Sequence, residues 1–237
     1  MLAENSNLSV SDISKYLQVS TVTVRTDLTG LEENGFITRT RGGALPVFHQ
    51  GILDRQRYRK SEKQHIARIA AQLVADGDTI MIEAGTTTAM VAKYLLGKRD
   101  IHIVTNSTLL LPYARMNPSI HLTVTGGEFR PQTESFVGPV ALRALEQFHV
   151  RLAFVGTDGF SLDKGLTTHL VEGAEIVRMM AGQAEKTILV ADSSKYERAG
   201  FASVLPLSAI HCLISDKGLD AAGIKVIETS NIEVKAV

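Results

Sequence analysis

Five short runs concentrate the residue types that hold polar ligands: Ala84-Gly85-Thr86-Thr87-Thr88, Thr105-Asn106-Ser107, Thr125-Gly126-Gly127, Gly156-Thr157-Asp158-Gly159 and Ala191-Asp192-Ser193-Ser194-Lys195. In Gly85-Thr86-Thr87-Thr88, backbone N–H groups and hydroxyls can hold a phosphate, helped by the dipole of the helix that follows. No Gly-Lys-Ser/Thr follows, so this is not a Walker loop and nucleotide hydrolysis is not implied. Lys195 can add a positive charge to the same anion. Asp158, Glu83 and Glu172 are acceptors suited to sugar hydroxyls, while Thr105 and Asn106 can donate and accept. Gly126 and Gly159 complete the set. Each run taken alone is also ordinary turn chemistry, because Gly, Ser, Thr and Asp dominate turns. Lys195 also reads as a surface lysine, and Glu83 as a capping carboxylate.

A second chemistry lies near the amino terminus. Ser20, Thr21, Thr23, Arg25 and Thr26 share the polar side of a short helical run, and Arg39 and Arg41 follow on a basic hairpin. Short hydroxyls and arginines can approach phosphates and base edges closely. The plain alternative is a small helical pair with a solvated threonine face. Threonine is a poor helix former, so so many of them on one face ask for a reason.

The elements that must carry these groups follow from hydrophobic patterning. In the amino-terminal segment Ser9 and Asp12 have the spacing of a capping box, and Ile13, Tyr16 and Leu17 make one apolar face. Gln18-Val19 is a tight turn. Ser20 caps the next helix, Val19 and Val24 have staple spacing, and Val24, Leu28 and Leu31 form its buried stripe. Asn34-Gly35 closes that helix, Phe36 to Thr40 alternates as a strand, and Gly42-Gly43 turns the chain back toward Val47. Helix, turn, helix and basic hairpin are the parts of a winged helix-turn-helix, which places one helix in the major groove.

From Ser61 the pattern changes. Apolar strands are expected at 79–83, 102–105, 122–125, 152–156, 187–191 and Cys212–Ser215, with helices at 63–75, 87–96, 109–116, 140–148 and 172–184. Such alternation argues for a mostly parallel sheet covered on both faces. The five polar runs all follow strands. They therefore converge on the carboxyl edge of the sheet, where open α/β folds bind their ligands.

With these residues in view, the chain resembles the DeoR family of bacterial regulators. The first match runs through SVSDISKYLQVSTVTVRTDLTGLEENGFITRTRGGA, and EAGTTT, TNS, TGGEFR, VGPVA, FVGTDGF, GLTT, EGAE and ADSSK carry it along the rest of the chain. The resemblance implies that the recognition helix lies within residues 20–33, and that Arg25 and the wing contact double-stranded operator DNA. It implies a sensor domain similar in fold to ribose-5-phosphate isomerase. Its effector would be a phosphorylated sugar or sugar alcohol, with the threonine loop on the phosphate and Asp158 and Lys195 in the pocket. It also implies repression of a carbohydrate-utilisation operon, relieved by effector. Thr26 stands where a second basic residue is common, and Arg41 where His is common. The family's full first helix precedes this motif, whereas here Met1 to Asn7 precede Leu8, so the expectation is a truncated first helix.

The expected organisation is a winged helix-turn-helix at 1–47, a basic linker at 48–62 and an α/β effector-sensing domain at 63–237. The linker either rests on DNA phosphates or is a solvated connector. Two function classes compete. A sugar-phosphate-sensing repressor needs the DNA-binding segment; a sugar-phosphate isomerase, with Glu172 or Asp158 as general base, does not.

Composition bounds the rest. Apolar residues make up 44% of the 237, ample for cores, and the formal net charge is zero. Residues 1–45 hold the cations Lys15, Arg25, Arg39 and Arg41 against the anions Glu4, Asp12, Asp27, Glu32 and Glu33. One copy is therefore weakly attracted to DNA, and tight binding calls for a homo-oligomer on repeated half-sites. Cys212 lies in an apolar run and reads as a buried reduced thiol. The seven histidines show no metal spacing, so neither metal nor cofactor is expected. No apolar run reaches transmembrane length and no signal peptide is visible, which points to the cytoplasm.

Overall fold

The computed structural model describes residues 2, 8–33, 37–46 and 48–237. The expected cap at Asn34-Gly35, the strand start at Phe36, the wing end at Val47 and nearly all of the segment before Leu8 fall outside that range. The chain divides into two compact units, Met1–Arg57 and Tyr58–Val237.

The first unit contains helices α1 (Val10–Leu17) and α2 (Thr21–Glu33), the antiparallel strands β1 (Ile37–Arg39) and β2 (Ala44–Pro46), and helix α3 (Gln50–Arg57). The capping box forms: Ser9 Oγ accepts from the Asp12 backbone N–H, and Asp12 Oδ2 accepts from the Ser9 N–H, both at 3.1 Å. Hydrogen bonds from the Ser9 hydroxyl and then the Ser9 backbone hold the Asp12 carboxyl below its ordinary 3.8. Its share of the cap is therefore complete above that value and is lost as pH falls below it. Ser9→Ala is expected to cost about 1 kcal/mol, read as an earlier urea midpoint for the amino-terminal helices.

The apolar face of this unit is narrower than its sequence suggests. Val10, Ile13, Val24, Leu28, Ile37 and Ala44 make the core. Tyr16 is 75% exposed, Leu17 50% and Leu31 40%, and Val19 is exposed as well, so neither the wide α1 face nor the staple forms. A helix packed against one short helix and two three-residue strands buries two positions, and the rest of its stripe runs past its partners. Helix α3 occupies eight residues of the expected linker.

The second unit is built on a seven-stranded, all-parallel sheet. Its strands are β3 (Thr79–Ile82), β4 (Ile101–Thr105), β5 (Ile120–Val124), β8 (Val150–Val155), β11 (Ala184–Val190), β13 (Cys212–Ser215) and β14 (Glu233–Ala236), in the order β14-β13-β11-β8-β3-β4-β5. Helices α4 (Lys60–Gln72), α5 (Thr86–Lys93), α6 (Leu111–Met116), α7 (Pro139–Leu145), α8 (Val171–Gly182) and α9 (Ala221–Glu228) connect or flank them. Two small antiparallel pieces complete the unit: the hairpin β6 (Glu128–Arg130) with β7 (Ser135–Val137), and the sheet β12-β10-β9 formed by Ala202–Leu205, Gly165–Thr168 and Gly159–Ser161. Four expected helices stop early: those expected to reach residues 75 and 148 end at Gln72 and Leu145. The run expected at 172–184 ends at Gly182 because Ala184 already pairs with Val150, and that expected at 87–96 ends at Lys93.

The strand order contains a topological switch point. From β3 the chain steps outward through β4 to β5, then returns to lay β8 on the other side of β3 and continues to β14. The direction reverses between β3 and β8. At such a switch point the loops leaving two neighbouring strands diverge and open a cleft at the carboxyl edge.

Candidate functional site

The loops leaving β3 and β8 meet at that switch point. Phe154 accepts a backbone hydrogen bond from the Glu83 N–H at 3.0 Å, and Glu83 Oε2 accepts the Gly156 N–H at 3.1 Å. The Glu83 carboxylate thus ties the mouths of the two central strands together. Gly85 caps α5 with extended backbone. A Cβ there would lie 2.9 Å from Thr88 Oγ1, so the tight entry to the helix excludes any larger residue. Thr86 and Thr87, half buried, open the first turn of α5.

Against this turn the structure sets a cation that patterning did not single out. Lys63 on α4 is only 5% exposed, and its Nζ lies 3.3 Å from Thr86 Oγ1. A buried ammonium is costly unless it is paired or called on to bind a charge. Here it stands at a helix N-terminus whose free N–H groups and dipole favour an anion. Hydroxyl, backbone N–H and ammonium stand together at this turn, donors of the kind that can hold an anion. Glu83 at its rim suits hydroxyls and not a second anion. The only sequence signal for Lys63 is its helical spacing from the apolar Ile66 and Ala70, a position where lysine is unusual.

The remaining expected groups separate into those near the cleft and those that brace it. Thr88 is fully buried and gives its hydroxyl to the Gly85 carbonyl at 3.0 Å. Thr105 is fully buried, donates to the Ile82 carbonyl at 2.5 Å and accepts from the Ser107 N–H at 3.1 Å. Asn106 accepts from the Ala84 N–H at 2.9 Å and donates to the Phe136 carbonyl at 3.1 Å. A Cβ on the buried Gly159 would fall onto the Arg198 carbonyl, so this residue lets two chain segments touch. These four were expected to face a ligand, and their polar groups or space are committed to the fold instead. Gly126 takes a left-handed turn beside open space.

Asp158 is half buried, and its Oδ2 accepts from the Thr168 hydroxyl and the His169 N–H, both at 2.9 Å. Glu172 receives Arg130 at 2.8 Å, and Arg130 also reaches Glu128 at 3.0 Å. The Glu172 N–H at the start of α8, and then Arg130, hold its carboxyl below the usual range, so it is an ionised acceptor. Lys195 is half buried; its backbone N–H donates to the Asp192 carbonyl at 3.0 Å, and among the described residues its side chain forms no hydrogen bond or ion pair. Its strand, β11, lies two positions from β3, about 10 Å along the sheet.

Another cation joins the neighbouring loops. Arg59, a left-handed N-cap of α4, reaches Asp216 Oδ2 at 2.8 Å, Ser193 Oγ at 3.1 Å and Asp192 at 3.6 Å. It fastens the start of α4, and with it Lys63, to the ends of β11 and β13.

In the first unit, Ser20 Oγ caps α2 by accepting the Thr23 N–H at 3.0 Å and pairs with Thr23 Oγ1 at 2.9 Å. Thr26 and Thr29 donate back to the carbonyls of Val22 and Arg25, leaving oxygen lone pairs and methyl groups for a partner. Thr21 and Arg25 are exposed on α2, and Arg41 is exposed at the hairpin tip. Arg39 is half buried: its backbone N–H meets Glu32 at 3.0 Å, and its Nε is shielded from solvent.

Comparison with known proteins identifies both units. The family described as the DeoR-like helix-turn-helix domain matches residues 1–47, and the DeoR C terminal sensor domain matches residues 59–217. Among curated proteins, the putative aga operon transcriptional repressor of Escherichia coli is 30% identical over 239 residues, covering 98% of this chain and 89% of the relative. The transcriptional repressor GlcR of Bacillus subtilis is 33% identical, covering 98% and 91%, and the transcriptional regulator GlpR of Haloferax volcanii is 34% identical, covering 99% and 93%. Among solved structures, a ribose-5-phosphate isomerase in complex with phospho-erythronic acid aligns at 19% identity, covering 58% of this chain and 54% of that one, with a TM-score of 0.43. The relatives that span the whole chain are regulators, which sets the enzyme reading aside. A helix-turn-helix unit joined to an α/β sensor unit, matched from end to end by such regulators, makes this chain a member of the DeoR family of DNA-binding transcriptional regulators.

Proposed function

We propose that the chain represses a carbohydrate-utilisation operon and that a phosphorylated sugar or sugar alcohol relieves the repression. The observation that carries the ligand class is the buried Lys63 ammonium against Thr86 at the N-terminal turn of α5, beside the β3–β8 switch point. These donors take the phosphate; Glu83 and Asp158 accept hydrogen bonds from sugar hydroxyls, and Lys195 closes the far side. Relatives named as repressors support repression as the output. Operator contact falls to Thr21, Arg25 and Arg41, with Ser20, Thr23 and Thr26 shaping the face and Arg39 bracing the wing. Two or more copies supply the half-sites, because a single neutral chain has little pull on DNA.

Thermal denaturation in a panel of sugar phosphates, the matching free sugars and inorganic phosphate tests this. A cognate effector at a hundredfold its Kd stabilises by about 2.7 kcal/mol, a shift of several degrees. The free sugar gives far less, and the same effector releases operator DNA in a binding assay. A panel in which no phosphorylated compound stabilises the chain would sink the sensor reading.

A further inference from the structure

Strands β4 and β5 pair in parallel with His102 opposite His121, at the amino-terminal edge of the sheet, away from the cleft. The two imidazoles stack with centroids 4.6 Å apart and planes 19° off parallel. Both Nε2 atoms lie 3.3 Å from one oxygen, Asp100 Oδ1. One ligand atom from each of the three residues lies within 4.8 Å of the other two. Among the described residues, no other group of His, Cys, Asp and Glu converges in this way.

We propose that Asp100, His102 and His121 form a zinc-binding site on the edge of the sensor sheet, separate from the effector cleft. Zinc sits about 2.0–2.2 Å from imidazole nitrogen and carboxylate oxygen, so neighbouring ligand atoms of a tetrahedral site stand roughly 3.3–3.5 Å apart. Both nitrogen-to-oxygen edges already have that length. The third edge, between the nitrogens, closes by small rotations of two exposed side chains. Asp100 adopts a left-handed turn (φ 56°), a conformation aspartate tolerates better than most residues, and this turn delivers its carboxylate to both rings.

The donor set selects the ion. Two imidazoles and a carboxylate suit zinc and its transition-metal neighbours, whereas magnesium and calcium prefer all-oxygen shells. Three protein ligands leave a fourth position for water, or for a donor from another molecule. The chain's one thiol does not compete, because burial pushes Cys212 up to about 11 and keeps it protonated. The bound ion would cross-link edge strand β5 to β4 from outside, adding to their backbone pairing.

Untagged full-length protein, stripped with chelator, is titrated with zinc chloride by calorimetry and with cobalt(II) by visible absorption. One ion per chain binds, cobalt gives the intense visible bands of a tetrahedral site, and the melting temperature rises. His102→Ala and His121→Ala each weaken zinc binding at least about tenfold, and Asp100→Asn does likewise, since losing a ligand costs no less than losing an outer-shell partner. His121→Gln keeps a polar side chain on the strand and shows the same loss if the alanine variant folds poorly. Effector stabilisation and operator affinity stay at wild-type levels in all of these. Absence of saturable zinc binding, or binding unchanged in the double histidine variant, overturns the site.

Discussion

Lys63→Met is expected to abolish relief of repression while leaving the unliganded protein on its operator. Methionine matches lysine in length and fills the same buried space without a charge. The wild-type ammonium is only 5% exposed and also bonds within the fold, to Thr86 Oγ1 at 3.3 Å, so the unliganded variant's own melting temperature is read beside its response to effector. What disappears is a charge-assisted bond to the effector phosphate. Such a bond contributes about 1.5–3 kcal/mol, so effector affinity falls from roughly tenfold to more than a hundredfold. Anisotropy of a labelled operator duplex, titrated with effector, reads the change as a rightward shift or loss of the release curve. Thermal denaturation supplies the control: the unliganded variant still melts in one cooperative transition, and the effector shift is gone. A release curve identical to wild type would make Lys63 a packing residue and move the phosphate elsewhere in the cleft.

Arg25→Ala has the opposite signature: operator affinity collapses while effector affinity is untouched. Arg25 is exposed on α2 and lies outside the buried cluster, so its removal costs the core little. A bidentate arginine contact to a base is worth about 1–3 kcal/mol, and a protein with two recognition helices loses it twice. Operator binding at fixed salt therefore falls by roughly one to two orders of magnitude per helix. Arg25→Lys separates the two modes of contact. Lysine keeps the charge without the planar fork, so it rescues a phosphate contact and fails to rescue a base contact. A salt slope lowered by about one marks the phosphate case; relaxed preference at one base pair marks the other. Unchanged operator affinity in the alanine variant would remove α2 as the reading helix.

The parts legible in the sequence are those whose causes are local. Ser9 and Asp12 cap α1 because a three-residue spacing suffices for the two bonds. The central strands were readable because parallel strands buried on both faces leave continuous apolar runs. The Gly85-Thr86 turn followed from its composition, and its N-terminal place on α5 is observed. Tertiary causes were hidden. Periodicity puts Leu31 and Tyr16 on an apolar face but says nothing of how far the packing partner extends, and both are exposed. Lys63 carries only a weak local signal, its place three residues before Ile66 at the start of the expected helix 63–75. Its burial comes from α4 lying along α5. His102 and His121 are nineteen residues apart in the chain, and only strand register makes them neighbours. The three-residue strands β6, β7 and β9 are too short for a period of two to declare itself.

The amide of Asn106 carries a consequence for heredity. One end must accept from the Ala84 N–H and the other must donate to the Phe136 carbonyl, in a position only 2% exposed. Aspartate, one nucleotide away, sets an oxygen against a carbonyl; histidine and serine, equally near in the code, change the reach and the count of bonds. Glutamine has the right groups but is one methylene too long, and no single base change reaches it. Lineages of this protein are therefore expected to meet a wall here, because both ends of the Asn106 amide are committed to the fold. Under the proposed function, variation among descendants passes through the exposed rim of the cleft and stops at the amide that keeps three loops in step.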